Sequence, residues 1–330
     1  MKKVYPELFL TILVLVGMGL LSGCATDKNL FALTNTGIEE PLKQIAMCDG
    51  QKGWALNAEN ELLHTTSGIG HFKCVKTFDK MLPASEGEIS LCGVDENTAY
   101  LAYFSIDGEN ILIEYTTDGG ENWENTAVSY ASYGGAYKAY LSFVDREHGY
   151  LLYCSDPGAG MMTKILFSIG DGGETFSETG KTVSYVADLT DEVSGYPTGI
   201  TFSSETEGFI GTTYHGQDAY FYQTKDGGET WQSIELPQYE RKDSLYIEGY
   251  APVFFGENQK QGKLLLQYVT AEKRNTILYT SEDGGETWTP QQELECDGAL
   301  SYDFFSENDG YLIDETGCLL PLKASAGTTR

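Results

Sequence analysis

Carboxylates are the side chains in this 330-residue sequence whose types and spacing could do chemistry, and four of them recur in one setting. Asp118, Asp171, Asp226 and Asp283 each precede Gly-Gly and are followed five residues later by Trp123, Phe176, Trp231 and Trp288. A worn copy runs from Thr65 to Phe72, with Ser67 at the acidic position. Brought together on one cavity, such carboxylates would transfer protons or bind a cation. Their spacing points elsewhere. Positions 67, 118, 171, 226 and 283 are 51, 53, 55 and 57 residues apart, a period that assigns one to each of a series of repeated units.

The elements around each copy explain it without catalysis. An apolar, β-prone run comes first, as in Ile111-Leu112-Ile113, Ile165-Leu166-Phe167, Tyr220-Phe221-Tyr222 and Ile277-Leu278-Tyr279. Gly-Gly then supplies the positive φ of a tight turn. The aspartate can accept backbone N–H bonds inside that turn, with the Ser or Thr two residues earlier joining it. The closing aromatic can bury its ring between neighbouring sheets.

The pattern Ser/Thr-x-Asp-x-Gly-x-Thr-Trp resembles the Asp-box, or BNR repeat. It is found in sialidase-type and sortilin-type propellers, xyloglucan hydrolases and lipoproteins resembling the photosystem II assembly factor. The copies ending at Trp231 and Trp288 match every defining position, and the resemblance covers roughly residues 60–290. It implies a β-propeller in which the box is a structural turn between the two outer strands of a blade.

A second repeat places a polar residue four positions before a pair that is usually a glycine followed by an aromatic. Its copies are Asp49…Gly53-Trp54, Asp95…Ala99-Tyr100, Asp145…Gly149-Tyr150, Ser204…Gly208-Phe209, Asn258…Gly262-Lys263 and Ser306…Gly310-Tyr311. It reads as the turn between the two inner strands, which gives six units of four strands. The last unit lacks room for its fourth strand, which Leu30–Leu33 can supply. The expected fold is therefore all-β: a single propeller of six four-stranded antiparallel blades, closed by the N-terminal strand, rather than an open stack or a seven-bladed ring. Closure removes exposed sheet edges.

Residues 1–23 read as a lipoprotein signal peptide. Lys2 and Lys3 precede an apolar core from Leu8 to Leu21, and Leu21-Ser22-Gly23-Cys24 resembles a lipobox. Cys24 would be lipidated, residues 24–28 would form a short tether, and residues 29–330 would form the propeller. The expected location is the extracytoplasmic face of the cell membrane, held through the acyl chains on Cys24. The formal charge of −28 becomes −29 once residues 1–23 are removed, and no basic run occurs, which excludes nucleic-acid binding. The acids are spread along the chain, as expected of a solvated surface, and they also suit a basic partner. Six cysteines follow Cys24 without a Cys-x-x-Cys pair, which argues against zinc or thioredoxin-like chemistry. Cys48 and Cys92 occupy similar places in successive units, so a bridge between them is open, although buried thiols are the expected state. His64, His71, His148 and His215 are scattered, so no metal and no cofactor are expected.

Both repeat turns belong to one end of the strands, and function is expected on the irregular loops at the other. Tyr130, Tyr133, Tyr137, Tyr196, Tyr214, Tyr239, Arg241, Tyr246, Glu248 and Arg274 are the candidate ligand-binding residues there. These tyrosines either line a pocket or pack between blades. No catalytic constellation is readable. The sialidase resemblance implies an arginine triad, yet only Arg241 and Arg274 belong to this end, and Arg146 and Arg330 do not. A two-carboxylate glycosidase would need acids roughly 5 to 9.5 Å apart, for which Asp188, Asp191, Glu192 and Glu248 are candidates. The reading is a monomeric, non-catalytic module that binds or scaffolds a protein, peptide or glycan, with a non-sialidase glycoside hydrolase as the alternative.

Overall fold

A glycine before an aromatic, repeated in nearly every unit, implies that something lies flat across the glycine. The computed structural model, which describes residues 31–33, 40–78, 89–158, 162–170, 182–215, 221–239, 244–296 and 298–324, shows what it is. On the partner strand, Phe143, Phe202, Phe254 and Phe304 face Gly149, Gly208, Gly262 and Gly310. A Cβ added at Gly149 would meet the Phe143 ring at 2.5 Å, and one at Gly208 would meet Phe202 at 2.7 Å. In the second unit the glycine has changed strands. Ala99 is tolerated because its partner is Gly93, and the Trp54 ring fills the space beside Gly93.

The described residues form 25 strands. The first, β1 (Phe31–Leu33), belongs to the last blade. Blade one is β2 (Leu42–Met47), β3 (Gly53–Asn57), β4 (Glu61–Thr65) and β5 (Lys73–Thr77). Blade two is β6 (Ser90–Gly93), β7 (Ala99–Phe104), β8 (Asn110–Thr116) and β9 (Glu124–Ser129). Blade three is β10 (Lys138–Phe143), β11 (Gly149–Cys154), β12 (Lys164–Gly170) and β13 (Thr182–Asp188). Blade four is β14 (Tyr196–Phe202), β15 (Gly208–His215), β16 (Phe221–Thr224) and β17 (Gln232–Ser233). Blade five has its innermost strand in two pieces, β18 (Tyr246–Gly249) and β19 (Val253–Phe255), followed by β20 (Gln261–Val269), β21 (Arg274–Ser281) and β22 (Thr289–Leu294). Blade six is β23 (Ser301–Phe304), β24 (Asp309–Ile313) and β25 (Leu319–Ala324), with β1 as its outer strand. Phe31 lies opposite Ala324 and Leu33 opposite Leu322, so the N-terminal strand closes the ring as expected. Among the described residues the one helical piece is a 3-10 turn, Ile69–His71, inside the worn octapeptide.

Aromatic rings hold neighbouring blades together. Tyr100 stacks on Phe143 of the next blade at 3.6 Å between centroids, and Tyr150 stacks on Phe202 at 3.5 Å. Such pairs contribute about 0.5–1.5 kcal/mol each beyond the area they bury. At the seam between blades five and six the aromatic is replaced by Lys263, which is 4% exposed. Its ammonium lies 5.1 Å from the Phe31 ring and 5.9 Å from the Phe304 ring, and it donates to Gln291 at 3.3 Å.

Blades four and five are joined more closely than the rest. β15 pairs with β18 across the seam, so the two blades form one nine-stranded sheet. Gly211 permits this, since a Cβ there would lie 2.3 Å from the Gly249 carbonyl oxygen. The break between β18 and β19 falls at 250–252, where the strand leaves that shared pairing.

None of the six described cysteines forms a disulfide. Cys154 is buried, whereas Cys48 and Cys74 are exposed, so the expectation of buried thiols fails for those two.

Candidate functional site

The recurrent aspartates among the described residues, Asp118, Asp226 and Asp283, are fully engaged within their own turns. Asp226 Oδ1 accepts from the Thr224 hydroxyl at 2.8 Å and from Thr230 N–H at 2.9 Å, and Oδ2 accepts from the Thr230 hydroxyl at 2.6 Å. Asp283 repeats the set with Ser281 and Thr287 at 2.8, 2.9 and 2.6 Å. Asp118 does so with Thr116 and Asn122 at 2.9, 2.9 and 2.7 Å. The Asn122 N–H, with the Asn122 side chain, holds the Asp118 carboxyl down at about 2. A carboxylate so committed neither takes up nor gives a proton near neutral pH. The paired glycines have φ between 75° and 93° in all three copies, as tight turns require. In the worn copy the Thr65 hydroxyl carries the turn, accepting from Ser67 N–H and donating to the Gly68 carbonyl. Asp171 and Phe176 lie outside the described residues.

These turns lock onto the inner turns of the same blades. Gly68, Gly119, Gly227 and Gly284 donate to the carbonyls of Gln51, Asn97, Thr206 and Lys260 at 2.7–3.0 Å. Blade six makes the equivalent bond from Ala324 N–H to Asn308. Each inner turn is closed by its polar residue, as where Asp95 Oδ1 accepts from Asn97 and Thr98 N–H at 2.8 and 3.0 Å. The turn end is therefore scaffold, and His148 and Arg146 belong to it, paired with Asp145 and Asp95. His64 is likewise satisfied, stacked on Trp54 at 4.1 Å with Nε2 2.8 Å from the Glu96 carbonyl.

Through the ring runs a channel of about 1080 Å³ lined by the innermost strands. Its polar side chains serve mainly as staples between blades. Ser90 and Cys92 accept from Leu141 and Phe143 N–H, Ser142 from Phe202 N–H, and Ser301 and Asp303 from Ile45 and Met47 N–H. Enclosure by protein raises the Asp303 carboxyl to about 7.

At the opposite, loop-rich end the predicted residues divide. Tyr130 is 3% exposed, stacked on Tyr153 at 5.4 Å and edge-on to Phe104, which corrects its assignment as a ligand-binding residue. The chain turns back after β9 and tucks this ring under the neighbouring blade. Tyr133 packs against Tyr153 and Phe167, and Tyr239 leans on blade five with its N–H donating to the Tyr268 hydroxyl. All three rings serve packing. Tyr137 and Tyr196 line the channel mouth. Tyr214 sits in β15 opposite Ile247, with its side chain outside the described residues, as is all of Arg241.

Tyr246, Glu248 and Arg274 are brought together. β18 presents Glu248 to the mouth, and the first residue of β21, Arg274, reaches it with Nη1 2.5 Å from Glu248 Oε2. Arg274 Nε lies 2.6 Å from Glu315 Oε1, in the β24–β25 loop of blade six. Burial pushes the Glu248 carboxyl upward and Arg274 pulls it back, with a net rise. Gln267, directly opposite Glu248, donates to the Tyr250 hydroxyl and to the Ala299 carbonyl. A shallow cavity of about 520 Å³ opens beside Lys273, Arg274 and Glu293. Other suggested acids are locally engaged: Asp188 caps Thr190 N–H at 3.0 Å, and Glu192 accepts from Trp231 N–H at 3.3 Å. Among the described residues no cluster of ligating side chains fits a metal. Sequence reasoning missed Glu315 as a site residue, although it occupies the same loop class in blade six as Arg274 does in blade five.

No known family model matches this chain, and no curated protein matches it. Solved structures do. YCF48 bound to a D1 peptide superposes with a TM-score of 0.52 at 14% identity, over 92% of this chain and 99% of that one. The six-bladed fucose-recognising lectin of Aleuria aurantia gives 0.52 at 9% identity, over 83% and 86%. The GH74 xyloglucanase from Xanthomonas campestris gives 0.51 at 12% identity, over 88% of this chain and 53% of that enzyme, so this chain spans about half of it. At such identities the likeness shows the fold alone: this chain is a β-propeller.

Proposed function

We propose that this chain is a lipid-anchored, extracytoplasmic Asp-box propeller whose loop-rich face binds a protein or peptide without catalysing a reaction. One observation carries this reading. Among the described residues the large hydrophobic side chains left exposed are Ile106, Tyr137, Leu245 and Leu300 at the loop-rich end and Tyr185 on an outer strand. None is on the turn face. Apolar side chains gathered on one end of a rigid scaffold suit protein recognition.

The anchor geometry agrees. β1 is the outer strand of blade six, and Phe31 lies at its turn end, opposite Ala324. A chain from Cys24 to Phe31 reaches at most about 25 Å. Acyl chains on Cys24 would hold the turn face toward the bilayer and leave the loop face outward. The turn face is acidic, with Asp49, Glu96, Asp145 and Glu205 on its rim. A tether of that reach lets it stand off an anionic surface by more than a Debye length of about 8–10 Å.

The test is site-directed photo-crosslinking in membranes of the full chain's own host. Probes at Leu245 and Leu300 should capture a partner that probes at Glu147 and Glu205 do not, and Cys24→Ala should release the protein from the membrane fraction. Capture only from the turn face would sink the reading. One observation favours a second reading, glycoside hydrolysis: the raised pKa of Glu248 beside a second carboxylate. Against it, both acids are held by one arginine. Glycosidase activity abolished by Glu248→Gln would establish it.

A further inference from the structure

The seam between blades five and six at the loop end is rich in acceptors and poor in donors. Two carboxylates, Glu248 and Glu315, share one cation, Arg274. The three side chains are partly accessible, at 19%, 41% and 32%. The surplus continues beneath them. Glu248, Gln267 and Thr276 lie directly opposite one another on successive strands, and so share one face of the sheet. Gln267 and Thr276 are wholly buried, and Gln267 Oε1 and Thr276 Oγ1 have no hydrogen-bond partner among the described residues. Both oxygens therefore have acceptor capacity left unused on the sheet face that carries Glu248.

Apolar side chains border the same spot. Leu300 and Tyr250 line the channel mouth with Glu248. Leu245 donates its N–H to Val269, the residue paired with Arg274. Leu245 and Leu300 are 60% and 46% exposed.

We infer that this seam is the docking point for a polypeptide segment bearing an arginine flanked by apolar residues. The partner guanidinium lies against Glu248 and Glu315 beside Arg274, and the flanking side chains cover Leu245 and Leu300. A guanidinium fits best because it offers five N–H donors in a planar fork to an acceptor-rich site, can stack on Arg274, and sheds water more readily than an ammonium. The overall charge of −28 favours the same partner, speeding encounter at low salt. The inference rests on the binding reading of the loop face and names its partner's chemistry.

The test uses the full chain in nanodiscs of neutral lipid, with empty discs as the blank. The probe is a fluorescent, end-blocked peptide with Leu-Arg-Leu in a Gly-Ser frame, read by anisotropy, alongside versions carrying Lys or Glu in place of Arg. The Arg peptide should bind tightest and the Glu peptide at least about tenfold more weakly. Glu315→Gln, an exposed position safe for folding, and Glu248→Gln should each weaken the Arg peptide by about tenfold. Glu147→Gln, which removes the same charge from the turn face, should leave affinity unchanged. Equal binding of the Arg and Glu peptides overturns the inference. So does an equal loss in Glu147→Gln, which would mark a diffuse acidic field. If Leu245 and Leu300 probes crosslink a native partner while the Arg peptide fails to bind, the binding reading survives and the arginine inference falls. If neither occurs, both fall.

Discussion

The two ends of this propeller are built on opposite rules. At the turn end the aspartates are engaged within their own turns and those turns are bonded to the inner turns of the same blades, and the same bonds recur from blade to blade. The hydroxyl two residues before each aspartate accepts from the second glycine N–H at 2.9 Å in all three described full copies. At the loop end the key contacts join distant residues once only, as where Arg274 gathers Glu248 and Glu315 from two blades. Repetition marks what the fold needs in every blade. The irregular end is where a single sequence change can alter binding without disturbing the ring.

The sharpest way to break that division is to damage the scaffold where it has no slack. Gly211→Ala forces a methyl group against the Gly249 carbonyl, which is backbone and cannot rotate away. It should lower stability by about 3 kcal/mol, read from the denaturant midpoint. Asp226→Ala removes three bonds from one exposed turn and should cost about 1–2 kcal/mol, the range for a lost cap. Its binding at the loop face should be unchanged.

Lys263→Phe restores the aromatic found at the other seams and should gain about 1 kcal/mol at pH 7. Burial lowers the Lys263 ammonium from 10.5 to about 8 in the folded state. Between those values the unfolded chain holds more protons, so wild-type stability from this group rises as pH rises from about 8 toward 10.5. The variant should lose that slope in denaturation curves across the range.

The smallest effect concerns two copies of one tryptophan. Trp231 Nε1 donates to the Gly228 carbonyl at 3.1 Å, whereas Trp288 Nε1 is buried without a partner among the described residues. Trp231→Phe should therefore cost about 1 kcal/mol more than Trp288→Phe.

Much of the scaffold was legible in the sequence because its parts are local. Asp-Gly-Gly turns, the Gly-aromatic pair and the missing fourth strand of the last unit each follow from residues close together, and the structure places β1 on β25 as that shortage required. The site was only half legible. Glu248 and Arg274 were named as candidates from their loops, but their pairing with each other and with Glu315 depends on how two blades meet. Tyr130 was misassigned for the same reason: nothing near it in sequence says that its ring folds under Tyr153. The split of β18 from β19 was equally invisible, since it falls where the pairing with β15 of the preceding blade ends.

The most direct measurement pairs stability with binding in the same two variants. Asp118→Ala, Asp226→Ala and Asp283→Ala combined, and Glu248→Gln alone, should be compared for denaturant midpoint and for affinity toward the Leu-Arg-Leu peptide. The triple variant should lose stability and keep its affinity, and Glu248→Gln should do the reverse. A folded triple variant that has lost binding, beside a Glu248→Gln variant that has not, would contradict the assignment of scaffold to one end and recognition to the other.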